Sequence, residues 1–184
     1  KMISRELDKS DHLVRNLLDL ESIESGDLKI ATESVSLTEM ISLIGNKYHK
    51  LAGNKNISVE TLIVEEDEVV ITTDPGFIQR IMDNLISNAI KFSPKGTQVR
   101  IELRKKLDQV IIQVTDQGPG LTQQDQSRLF GRFQRLTAQP TGGEPSAGLG
   151  LAITKALVDR LHGSIRVTSA PGEGAAFSVS LPIG

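Results

Sequence analysis

The sequence predicts an α/β fold, a two-layer sandwich of a mixed β-sheet and helices, with an N-terminal amphipathic helix in front of it. Segments with apolar residues at three-and-four spacing alternate with short runs of period two. The 184 residues suffice for one well-buried domain and an appendage but are cramped for two. No internal repeat or low-complexity tract breaks the pattern.

Over residues 2–24, Ile3, Leu7, Val14, Leu17 and Leu18 recur at helical spacing, flanked by Leu13 and Leu20, and Ser25-Gly26-Asp27 supplies the stop. Such a stripe needs cover, either from its own domain or from a helical bundle shared with another chain, and periodicity does not separate the two. A second helix opens at Ser36, where Glu39 completes the pattern of a capping box, and runs to about residue 51. Residues 57–63 and 69–73 are β-rich, with the acidic run Glu65-Glu66-Asp67-Glu68 as the turn between them. Asp74-Pro75 opens a third helix that reaches Phe92, because proline is tolerated where its missing N–H costs nothing. Residues 99–104 and 110–115 read as an antiparallel hairpin across Leu107-Asp108. The long stretch 117–147 is loop-like and suits a functional lid. A fourth helix over 149–162 and strands at 164–169 and 175–181 complete the chain.

Composition narrows the function classes. With 21 basic and 23 acidic residues and a net charge of -2, the chain lacks the cationic excess that nucleic-acid binding draws on. The absence of cysteine excludes disulfides and thiolate metal sites and fits a cytoplasmic setting. Apolar runs such as Val110-Ile111-Ile112 are far below the ~20 residues of a membrane span, so no membrane contact is expected of this segment. No signal peptide is visible, and the opening in mid-helix reads as a cut through a longer protein.

Three glycine-bearing loops stand out, Asp116-Gln117-Gly118-Pro119-Gly120, Gly148-Leu149-Gly150-Leu151 and Gly172-Glu173-Gly174. Each by itself is compatible with a tight turn. Glycines opening the helix at Leu149 also leave its first amides free at the positive end of the dipole, a cradle for phosphate. On the third helix Asn84 and Asn88 lie one turn apart with Lys91 nearby. They either cap a neighbouring loop, or Asn88 ligates Mg²⁺ through its amide oxygen while Lys91 faces phosphate.

The stretch from Arg80 to Pro94 resembles the N box of sensor histidine kinases. Asp116 to Gly120 is similar to the G1 box, Leu129 to Arg135 to the F box, Gly148 to Leu151 to G2 and Gly172 to Gly174 to G3, in family order. Residues 17–26 resemble the second helix of the family's dimerisation and phosphotransfer hairpin. The resemblance implies a Bergerat ATP-binding fold over residues 31–184, with residues 1–30 as part of the hairpin and hence an N-terminal bundle helix, and the activity of a protein-histidine kinase using ATP and Mg²⁺. It implies an adenine-selective acceptor at Asp116, purine packing on Phe92, and phosphate contacts at Lys91 and Arg135. The nucleotide site it implies comprises Asn84, Asn88, Lys91, Phe92, Asp116, Gly118, Gly120, Phe133, Arg135, Gly148, Leu149, Gly150 and Leu151. Phe130 and Phe133 would anchor the lid, or serve as ordinary core aromatics.

Two departures from the family pattern stand out. Ser146-Ala147 replaces the usual glycine-threonine before G2, removing a hydroxyl that can touch phosphate. The histidines, His12, His49 and His162, lack an acceptor-helix context, so the phosphoacceptor is expected on a helix outside this sequence. Hydrolysis by a related ATPase would need a glutamate one turn before Asn88, where Asn84 stands and cannot act as a base. The resemblance further implies a homodimer in the full-length protein and transfer to a response regulator. A serine kinase of the anti-sigma type and a degenerate nucleotide-binding or dimerisation module are the alternatives.

Overall fold

The computed structural model describes residues 14, 16–23, 25–134, 136–141 and 148–183. Ile3, Leu7, His12, Leu13, Arg135, Ser146 and Ala147, named above, lie outside the described residues. Helix α1 includes residues 16–23, followed by a linker, strand β1 (Glu33–Ser36), helix α2 (Leu37–Ala52), strands β2 (Ser58–Ile63) and β3 (Val70–Thr73), and helix α3 (Pro75–Phe92). Strands β4 (Gln98–Lys106) and β5 (Gln109–Thr115) form the expected hairpin. Helices α4 (Gln123–Arg128) and α5 (Gly150–Arg160) precede strands β6 (Ser164–Ser169) and β7 (Ala175–Pro182).

The main sheet has five strands in the order β2-β4-β5-β7-β6. Only β2 and β4 run parallel, so the sheet is mixed, as the sequence predicts. Its inward rows follow the pleat: Ile101, Val114 and Phe177 stand in register across β4, β5 and β7, and Leu103, Ile112 and Val179 form the next row. Helices α2, α3 and α5 cover this face with buried residues such as Ile41, Ile44, Ile81, Leu85, Leu157 and Val158. The opposite face carries ion pairs, Arg100 with Glu60 at 2.9 Å and Arg104 with Glu102 at 2.6 Å, as befits a sheet wet on one side.

The two-stranded sheet of β1 and β3 is not foreseen in the sequence. Strand β1 has four residues and one buried side chain, Val35, too little for a periodic signal. The acidic run 65–68 therefore carries the chain between two sheets, since β2 and β3 have different partners. Half of the capping box at Ser36 forms: its hydroxyl accepts from the Glu39 amide at 3.2 Å, while Ser36 itself belongs to β1. Asp74 caps α3, accepting from the Phe77 amide at 3.0 Å through Oδ1, and its Oδ2 accepts from Ala31 N at 2.8 Å. That carboxylate ties the linker to the helix that carries the asparagines.

The stripe of α1 is divided. Leu20 and Ile23 are fully buried in the chain's own core, whereas Val14 and Leu18 are 55% and 58% exposed. Arg80 pairs with Asp19 at 2.7 Å, and Arg160 donates to the Leu28 carbonyl at 2.9 Å. Among the described residues no helix is long and apolar enough to cross a membrane.

Candidate functional site

A cleft opens where the C-terminal half of α3, the loop after β5, the start of α5 and the first residues of β7 meet. It is lined by Asn88, Phe92, Asp116, Gly120 and Leu151, all singled out from sequence. Pro119, Leu121, Leu129, Leu136, Ala138, Ala175 and Phe177 complete the lining, and the result is an apolar slot with two polar side chains, Asp116 and Asn88. Ala175 and Phe177 escaped the sequence reading as site residues. Alternation marks them as inward-facing, but only the β5–β7 register, Val114 opposite Phe177, brings them beside Asp116.

Asp116 is 7% exposed. Its Oδ1 accepts from Gly118 N at 2.8 Å and Ala175 N at 3.3 Å, and no described residue donates to Oδ2. Burial pushes its carboxyl above the ordinary range, against the opposing pull of the two amides. Gly118 is needed for this arrangement, because a methyl group there would press on Asp116 Oδ1 at 2.8 Å and on the Phe92 carbonyl at 3.1 Å. At the third glycine loop, a side chain on Gly174, whose φ is 75°, would overlap the Asp116 carbonyl. The loops expected from sequence to act together are therefore in backbone contact, joined also by Asp116 N to Ala175 O at 2.8 Å and Gly172 N to Pro119 O at 2.7 Å.

The two asparagines have different surroundings. Asn84 donates to the Gly150 carbonyl at 3.3 Å, which also receives the Thr154 hydroxyl at 2.9 Å, so Asn84 joins α3 to the first turn of α5. The Asn88 side chain, one turn on, lines the cleft and makes no hydrogen bond with a described residue. The end of α3 is secured by Lys55, whose ammonium donates to the carbonyls of Ile90 and Lys91 at 2.9 Å each. A cation at that end also suits the helix dipole. The Lys91 ammonium lies 5.8 Å from the Phe92 ring centroid.

Helix α5 begins behind Gly148, whose φ of 68° places it in the left-handed region. A side chain at Gly148 would run into the backbone of Phe133 and Gln134 at 2.7–3.0 Å. Leu149 is fully buried and offers no side-chain cap, so the first amides of α5 lack the partners that a serine or aspartate would supply. Leu151 lines the cleft one residue into the helix.

The lid expected over 117–147 contains a helix the sequence reading passed over, α4, closed by a complete capping box between Thr122 and Asp125. The Thr-x-x-Asp spacing was a legible signal for it. Asp125 Oδ1 also accepts from the Thr137 amide at 3.1 Å and hydroxyl at 3.2 Å. Further along, Thr141 donates through N to Lys91 O at 3.1 Å and through its hydroxyl to Ser93 O at 2.8 Å. Phe130 packs against the core. Phe133 is not an ordinary core aromatic: it is 53% exposed, has φ 55°, and is not among the cleft-lining residues.

A profile described as histidine kinase-, DNA gyrase B- and HSP90-like ATPase matches residues 73–184. This chain belongs to that ATPase family. Within the family it resembles the catalytic ATP-binding portion of sensor histidine kinases. It is 33% identical over 182 residues to the sensor-like histidine kinase SenX3 of Mycolicibacterium smegmatis, with 99% of this chain and 47% of that protein covered. It is also 33% identical over 171 residues to the sensor histidine kinase RcsC of Escherichia coli, across 93% of this chain and 18% of the relative. The chain thus spans half or less of the length of these curated relatives. Among solved structures, ShkA in complex with AMPPNP is similar at a TM-score of 0.82 and 26% identity, over 96% of this chain and 37% of that one. Acinetobacter baumannii AdeS shares the fold at a TM-score of 0.80 and 22% identity, over 100% of this chain and 83% of that one. The sheet and helix layer are those of the family's ATP-binding sandwich.

Proposed function

We propose that this chain is the ATP-binding catalytic portion of a two-component sensor histidine kinase and donates the γ-phosphate of ATP to a histidine on a dimerisation helix. The observation that carries the reading is Asp116, a buried carboxylate with one oxygen held by two backbone amides and the other without a described donor, inside an apolar slot. Such a group accepts the amino hydrogen of adenine. Guanine offers a carbonyl at that position, and two acceptors face to face are penalised. Phe92, Leu121 and Phe177 supply apolar surface for the purine.

Phosphate contacts fall to the uncapped amides at the start of α5, to Lys91 and to Arg135. The donor set suits Mg²⁺ as a shared ion. Asn88 is uncommitted in the fold, and no cluster of three or more metal-ligating side chains exists among the described residues. The Asn88 amide oxygen would hold the ion, which when bound neutralises phosphate charge, with water and phosphate filling its remaining positions. Transfer of a phosphoryl group asks of a protein mainly positioning and charge neutralisation, which this lining can supply. Asn84, engaged with Gly150 and unable to take a proton, argues against a hydrolytic role. His49, bonded to the Val59 carbonyl, and His162 are not cleft residues, so neither serves as acceptor.

In this reading residues 1–30 belong to the dimerisation hairpin and 31–184 form the catalytic domain. The intact kinase is a cytoplasmic-facing homodimer that passes phosphate to a response regulator. The exposed Val14 and Leu18 are consistent with a further helix packing there. Calorimetric titration with a Mg-bound non-hydrolysable ATP analogue, beside the matching GTP analogue, tests the site. Saturable binding of the adenine nucleotide alone, lost in Asp116→Asn or Asn88→Ala, is expected; binding indifferent to both changes would sink the assignment.

A further inference from the structure

A second cavity, of about 220 Å³, shares no lining residue with the nucleotide cleft. It lies where the linker after α1 passes between β3, the end of α5 and the end of β7. Ile30, Ile71 and Leu181 give it an apolar wall, and Thr73, 4% exposed, adds a hydroxyl with no side-chain hydrogen bond to the described residues. Among the described residues its ionisable lining groups are Arg160 and His162, with no carboxylate. Arg160 Nη2 holds the Leu28 carbonyl, and its Nε is buried with no partner among the described residues. His162, with φ 56°, takes the left-handed position after the helix that glycine usually fills.

We propose that this cavity binds a small monocarboxylate with a compact apolar body, its carboxylate held by Arg160 and its body resting on Ile71 and Leu181. A guanidinium fork recognises a planar carboxylate through paired donors, and the absence of acidic lining removes the main opposition to an anion. The volume accommodates a body somewhat larger than the benzene that an engineered cavity of ~150 Å³ accepts. Because Arg160 also grips Leu28, an occupied cavity would hold the linker against α5 and stiffen the joint between α1 and the catalytic body.

Sodium benzoate is the probe. Titrated into the 184-residue chain at constant ionic strength and followed by amide NMR, it is expected to shift the resonances of Ile30, Thr73 and Leu161 saturably and to leave Gly118 and Gly120 unmoved. Arg160→Gln should weaken binding about 10-fold or more, since the bond lost is to a charged group. If that variant does not fold, Thr73→Val, which keeps the volume and removes the hydroxyl, should weaken it by a smaller factor. Inorganic phosphate at the same ionic strength should not compete. Absence of saturable shifts, equal affinity in the folded variants, shifts confined to the nucleotide cleft, or equal competition by phosphate would each overturn the proposal. Nucleotide binding is measured separately, so failure here leaves the kinase reading untouched.

Discussion

The carbonyl oxygen of Asp116 occupies the space in which a side chain on Gly174 would begin. Two loops separated by a strand, a lid and a helix are thus locked together at backbone level, and the carboxylate that faces the cleft is held by the loop that closes the sheet. Gly174→Ala combines this overlap with a φ of 75° that side chains rarely adopt. It is expected to destabilise the fold by at least about 2 kcal/mol, read by chemical denaturation, and to abolish adenine nucleotide binding under conditions where the variant is still folded.

Asp116→Asn separates stability from function. The Asp116 carboxyl is pushed up by burial, so over the range between its unfolded and folded values the native state holds more protons, and stability declines as pH rises through that window. The amide removes this cost while keeping an oxygen for Gly118 N and Ala175 N. The nucleotide-free variant should melt higher than the parent at neutral pH, with the gap closing in acid, yet bind the ATP analogue at least about 10-fold more weakly. A variant that melts lower at neutral pH would show that the two amide bonds depend on the carboxylate charge.

Asp125 has the opposite sign. Burial raises its carboxyl, but the bonds from Thr137 and Thr122 outweigh this and hold it below the ordinary carboxylate range. Its contribution is present above the unfolded value of about 3.9 and is lost as pH falls through the lower folded value. The Thr137 amide resonance should therefore titrate with a midpoint below about 3.9. In Asp125→Ala the segment around Thr137 should exchange its amides faster while the main sheet is unchanged; equal exchange would show that other contacts hold it.

Gly45 lies in the middle of α2, where a side chain would overlap the Thr61 hydroxyl on β2. Alanine is ordinarily the better helix former, by about 1 kcal/mol. Here Gly45→Ala should instead destabilise by about 1–3 kcal/mol because α2 must lift from the sheet. Adding Thr61→Ala should recover most of the loss in a double-mutant cycle; additive effects would place the strain elsewhere.

Ser93 is fully buried and its hydroxyl has no partner among the described residues. Ser93→Ala removes an unmet polar group, so it is expected to be neutral or stabilising by about 1 kcal/mol in denaturant titration. A clear loss of stability would point to a buried water bonded to that oxygen.

Periodicity and punctuation were enough to place α2, α3, α5 and the strands of the main sheet, because each buries one face and shows its period over six or more residues. The family-like order of the glycine loops and the asparagine helix likewise named Asn88, Phe92, Asp116, Gly120 and Leu151, which meet in one cleft. What sequence could not decide were matters of partner. Strand β1 exists only through β3, Ala175 and Phe177 reach the cleft only through the register with β5, and Asn84 faces Gly150 while Asn88 faces the cleft, though both lie on one helix face. The stripe of α1 was legible, but its division between a buried Leu20 and an exposed Leu18 was not. Local spacing encodes which side of an element is apolar; which neighbour covers it depends on contacts between residues far apart in the chain, and these arise only when the layers pack.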